Sequence, residues 1–199
     1  MTRRPSNQSL PNEAILYLCQ FRGLWPGAKV LTLDVHTAQP GDLEGWSDEE
    51  LQVLVGEGQR QLDGQTAELE RVRSRSQALF TTNLVVGGLY GAVFGLASSN
   101  SDTVAIVVWL AGALLWLSST LGALSIVVGN RELGAIDSTR LSAQPAGGVL
   151  RALASGYARA VKSGANTCAT VLTVFRDAFL LASASALVLG VAWMMAIAS

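Results

Sequence analysis

Charge is missing from long stretches of this chain: between Ala78 and Gly129 the only charged residue is Asp102, and after Asp177 there is none. Charged residues make up 15% of the whole, against roughly a quarter in soluble proteins. Histidine is nearly absent. With His36 alone in a loop-like segment, and with neither CxxC nor HExxH spacing, the sequence offers no His-based zinc site and no Ser/His/Asp triad. Gly87-Gly88 and Gly147-Gly148 lack the strand–GxxxxGK–helix setting of a phosphate loop. No catalytic, metal or cofactor-binding residue is therefore assigned, and neither enzyme activity, cofactor nor nucleic-acid partner is expected.

Proline is also scarce, and none of the five lies between Asp42 and Gln144 or after Pro145. The long apolar runs can therefore continue as helices. Three of them, at about Leu79–Ala97, Thr103–Val128 and Ala178–Ala198, are long enough to cross a hydrocarbon core about 30 Å thick at about 1.5 Å rise per residue. No cleavable signal peptide is expected, because Ala14–Cys19 is too short for its apolar core and Arg3-Arg4 lacks the following apolar run.

All 14 basic residues fall on two segments. Eight precede the first span (Arg3, Arg4, Arg22, Lys29, Arg60, Arg71, Arg73 and Arg75), and six lie between the second and third (Arg131, Arg140, Arg151, Arg159, Lys162 and Arg176). The turn Ser98–Asp102 and the C-terminal end carry none. By the positive-inside rule this predicts a plasma (inner) membrane protein with a cytoplasmic N-terminus and an extracytoplasmic C-terminus. Arg71, Arg73, Arg75 and Arg176 then sit at the inner interface. Cys19 and Cys168 fall on cytoplasmic segments, where free thiols are expected.

The fold expected is an all-α membrane protein: three transmembrane helices, a cytoplasmic helical bundle and a small irregular N-terminal segment. Residues 1–46 read as loop-rich, with one short helix and one short strand formed from Ala14–Cys19 and Val30–Val35. Ser47-Asp-Glu-Glu50 has the form of a capping box, so a cytoplasmic helix over 47–77 should start there and run into the two-span hairpin 78–129. Its Leu51, Val55, Leu62, Leu69 and Val72 recur at heptad-like spacing, interrupted at Gln65; the helix could pack on the N-terminal piece or pair as a coiled coil. Segment 130–177 reads as a linker followed by an amphipathic helix from Leu150 that enters the third span, 178–199, without a break. That helix could lie on the inner leaflet or pack on the 47–77 helix.

Small residues recur every fourth position in two spans: Gly87, Gly91 and Gly95 in the first, and Ala178, Ala182, Ala186 and Gly190 in the third. Such ridges let backbones approach closely, within one chain or between protomers. No Asp, Glu, Lys, Arg or His lies deep in a span, which disfavours an ion-coupled pump. Ser118, Ser119 and Thr120 are the candidates to line a pore built from several copies, or else to bond carbonyls of their own helix. Trp193 lies where an outer-interface anchor belongs.

A cytoplasmic helix ending in Glu68-Leu-Glu-Arg-Val-Arg-Ser-Arg75, followed by a close two-span hairpin, a basic helix and a last span, resembles in architecture the SLATT-type membrane effectors of bacterial conflict systems. The resemblance covers Ser47 to Ser199 and carries over no site residue. It implies membrane disruption or pore formation after a cytoplasmic trigger. Two functions follow as expectations: an oligomeric, channel-like inner-membrane effector gated through its cytoplasmic helices, or a membrane-anchored adaptor whose cytoplasmic part binds a protein partner. The expected partners are the lipid bilayer, further copies of the chain, and a cytoplasmic protein.

Overall fold

The computed structural model describes residues 10–24, 32–33, 43, 45–99, 103–129 and 148–198. Among them every regular element is helical: α1 (Leu10–Gln20) with a 3-10 turn (Phe21–Leu24), α2 (Asp48–Ser99), α3 (Thr103–Val128) and α4 (Val149–Ala198). The last three are long and apolar enough to cross a membrane. The short helix expected in the N-terminal segment is α1, which has Pro11 in its first turn, where a missing N–H costs nothing. Of the strand expected over Val30–Val35, residues 32–33 have no regular structure and the others lie outside the described residues, as does the linker before Gly148.

Helix α2 starts where its cap directs. The Glu50 carboxylate accepts from the Ser47 N–H at 2.8 Å and from the Ser47 hydroxyl at 3.0 Å, while the Glu50 N–H donates to the Ser47 hydroxyl at 3.3 Å. These bonds, backbone first, hold the Glu50 carboxyl below its ordinary pKa. Just upstream, Trp46 N–H donates to Leu43 O, closing a turn in which Gly45 has a φ of 92°, a conformation that favours glycine. With no proline to stop it, α2 continues to Ser99, so the expected cytoplasmic helix and first span form one element. Likewise α4 merges the amphipathic helix with the third span.

The chain divides into two compact units. In the first, α2 up to Arg71 pairs with α4 up to Val171. Gly58 and Gln65, seven apart, mark the seam. Leu51 is buried, and a Cβ on Gly58 would stand 2.9 Å from Tyr157 Cβ, so only glycine allows that approach. Gln65 Nε2 donates to Val161 O at 3.0 Å, and the Cys168 thiol donates to Gln65 O at 3.6 Å. The interruption at Gln65 is thus a cross-helix hydrogen bond, and the heptad-like stripe serves at least this intrachain pairing. Burial, then the nearby Glu68 charge, push the Cys168 thiol up, which makes it a poor nucleophile at neutral pH.

The second unit contains α1, α2 from Val72, α3 and α4 from Leu172. Tyr90, Val93, Leu189 and Ala192 form its main core, with Val86, Val108, Trp109, Ala113 and Trp116 packed around them. A smaller cluster joins Ala105 and Ala196.

Candidate functional site

In lipid a helix has little apolar advantage in touching another helix, so close packing and interhelical hydrogen bonds must hold the second unit together. Several of its polar side chains are spent that way, on carbonyls of a neighbouring helix that already serve their own helix and accept a second bond, while the hydroxyls of Thr81, Thr82, Thr120, Ser125 and Ser183 bond carbonyls of their own helix. Trp109 Nε1 donates to Tyr90 O at 2.8 Å and Trp116 Nε1 to Asn83 O at 2.7 Å. The two donors are seven residues apart and so are the two acceptors, which is the register of an antiparallel hairpin fastened at two levels. Tyr90 OH bonds both the carbonyl and the hydroxyl of Ser185 at 2.8 Å, tying α2 to α4.

A second polar layer lies closer to the N-terminal half of α2. Asn83 Nδ2 donates to Ser119 Oγ at 2.9 Å, and Ser119 Oγ donates to Ala178 O at 2.8 Å, so one chain of bonds links α2, α3 and α4. Tyr17 OH on α1 donates to Ser118 O at 2.9 Å. Burial, then the charge of Asp177, raise the Tyr17 phenol well above its ordinary pKa, so it stays a neutral donor. Thr120 Oγ1 bonds Trp116 O within α3. Of the candidate pore-lining residues, Ser119 and Thr120 are therefore buried with engaged hydroxyls, and Ser118 supplies a carbonyl to α1.

The small-residue ridges divide between inside and outside. A Cβ on Gly87 would come within 2.6 Å of Trp116, whereas nothing lies within 4 Å of the corresponding position at Gly88, Gly91, Gly95 or Gly190. On α4, Ala178 is fully buried, Ala182 is intermediate and Ala186 is exposed. Close approaches also fall on two glycines that the fourfold spacing does not pick out: Gly112 faces the Tyr90 hydroxyl and Val188, and Gly122 faces the Tyr17 hydroxyl.

Arg71, Arg73 and Arg75 are exposed. Arg73 Nη2 donates to Gly129 O at 3.2 Å, placing a cation on the negative end of the α3 dipole. Arg176 pairs with its neighbour Asp177 at 3.0 Å.

In the second unit the exposed large apolar side chains form a belt that runs from Leu84 to Phe94 on α2, from Val104 to Leu117 on α3, and from Phe179 to Ile197 on α4, with Trp193 among them; Val128 and Leu172 are exposed beyond it. On α4 this belt is about 27 Å long at about 1.5 Å per residue, close to a hydrocarbon core of about 30 Å. Asn83, Ser118 and Ala178 adjoin this belt on the three helices, so its dense part ends beside the second polar layer, with Leu172 exposed further along α4. No family model matches the chain, and neither does any curated protein or solved structure.

Proposed function

We propose that this chain is an oligomeric, channel-like effector of the bacterial inner membrane, gated through its cytoplasmic helices and acting in defence. The observation that carries the reading is continuity: α2 and α4 each run without proline or break through both units. A trigger that moves their N-terminal halves would act on the membrane helices directly, with no separate pathway between them. The confinement of basic residues supports an N-terminus in the cytoplasm. Gly88 and Gly91, where an added Cβ would meet nothing within 4 Å, leave room for another copy to approach. Several copies are required, because three helices alone enclose no route. The defence role rests on the SLATT-type architecture.

The adaptor reading has its own support. The buried hydroxyls of Ser119, Thr120, Ser125 and Ser185 are all bonded inside one chain, as suits a packed anchor. Induced expression with a membrane-impermeant dye separates the two. Dye entry, together with a detergent-solubilised particle larger than one chain, supports the effector; dye exclusion with a monomer leaves the anchor.

A further inference from the structure

We propose that α1 is a membrane-surface helix, seated in the leaflet nearest it with Ile15 and Leu18 in the boundary between headgroups and acyl chains. The inference rests on the reading of α2, α3 and α4 as spanning helices, and it concerns a segment that reading leaves without a role.

The exposed apolar face of α3 is interrupted. Its exposed large apolar residues stop at Leu117 and do not resume until Val128 at its end, although Leu121, Leu124, Ile126 and Val127 lie between them. Part of what covers the interval is α1: Tyr17 donates to Ser118 O, and its hydroxyl fills the place where Gly122 has no side chain. Leu16, Tyr17 and Gln20 are the buried face of α1. Helix α1 therefore stands on α3 where lipid would otherwise stand, at the level where the run of exposed apolar residues on α3 stops at Leu117.

The outward face of α1 is not that of a helix in water. Ile15 and Leu18, three apart and so on one face, are 57% and 62% exposed. A side chain beside Tyr17 lies at the depth of Ser118, one residue beyond the belt residue Leu117. The two exposed aliphatics thus extend the belt sideways around α3. A short helix with an apolar outer face at that depth fits the headgroup–acyl boundary of a bilayer. A second protein chain is the competing occupant, and it would shield the same face from lipid and water alike.

The test uses the full chain carrying Cys19→Ser and Cys168→Ser. An environment-sensitive dye is attached through Ile15→Cys or Leu18→Cys, and the protein is placed in nanodiscs of mixed phosphatidylcholine and phosphatidylglycerol. Acyl chains brominated near the headgroup should remove emission at both positions, more than chains brominated near their ends, and aqueous iodide should have little effect. Dye on Leu187→Cys, in the middle of the belt, should lose most emission to the deep bromines, and dye on Arg60→Cys should respond to iodide alone. If Leu187 responds as stated but positions 15 and 18 are quenched by iodide and not by bromine, the helix faces water and the proposal falls. Quenching by neither reagent means a protein covers the face, and the proposal falls again. If Leu187 itself is insensitive to bromine, the spanning reading fails first and takes this one with it.

Discussion

At the residue scale, a glycine ridge that looks uniform in sequence is divided by its surroundings. Gly87→Leu would drive a side chain into Trp116, which also holds the Asn83 carbonyl, and should cost about 1–3 kcal/mol as an overpacked contact. A Cβ at Gly91 meets nothing within 4 Å. Thermal unfolding in detergent should therefore fall for the first and stay near the parent for the second. The particle size of the Gly91 variant should decrease if that face meets another copy; an unchanged size means that it faces lipid.

Tyr17 carries a separate, pH-dependent prediction. Its phenol is raised in the folded chain by burial and by Asp177, while an unfolded tyrosine titrates near about 10. An acid whose folded pKa is raised contributes stability that is complete below the unfolded value and is lost as pH climbs through and above it. Tyr17→Phe should lower stability at pH 7 by about 0.5–1.5 kcal/mol, the net worth of the bond to Ser118 O. The gap between the two proteins should narrow as pH rises above about 10. Thermal melts across pH measure this, and a gap independent of pH would remove the buried phenol from the account.

Elements were legible wherever their cause is local. The ends of α3 follow from the charge-free run Thr103–Val128, and the start of α2 from the capping box, because both signals act over a few residues. The merging of α2 and α4 with their spans follows from the lack of proline. What could not be read is pairing. That Trp109 and Trp116 fasten the hairpin, or that Gly87, Gly112 and Gly122 but not Gly91 take close contacts, depends on the rotation of one helix against another, which no short window of sequence encodes. Nor does anything in Ala14–Cys19 say that Tyr17 will reach Ser118, a hundred and one residues away.

Gln65 belongs at this scale too, since its oddity is defined only against the seam it interrupts. Its Nε2 bonds Val161 O, but its Oε1 is buried without a partner. A buried amide half satisfied is costly, and replacing it by an apolar group of similar shape removes that cost. Gln65→Leu should raise the stability of the α2–α4 pairing, by about 1 kcal/mol. Slower amide exchange over Gln61–Glu68 would confirm it. Faster exchange would mean that the bond to Val161 outweighs the unpaired oxygen.

For the whole molecule, topology comes before mechanism. With the cytoplasmic N-terminus proposed here, a cysteine at Ser199 should react with an impermeant thiol reagent added outside intact cells, and one at Ser6 should not. The opposite pattern would invert the assignment and place the basic residues outside. Gating then depends on whether α2 and α4 act as levers. A helix transmits a displacement only while its backbone bonds are continuous, and α4 has no proline from Val149 to Ala198. The two units exchange α4 between Val171 and Leu172. Gly-Gly-Pro inserted at that point should break the lever while leaving the apolar segment Leu172–Ala198 able to insert. Membrane fractionation checks insertion, and dye entry checks permeability. If the inserted protein reaches the membrane and no longer admits dye after triggering, the cytoplasmic half drives the membrane half through α4. If dye entry keeps its dependence on the trigger, α4 is not the lever, and the adaptor reading, in which the spans only hold the chain at the surface, becomes the better account of why two helices run through both units.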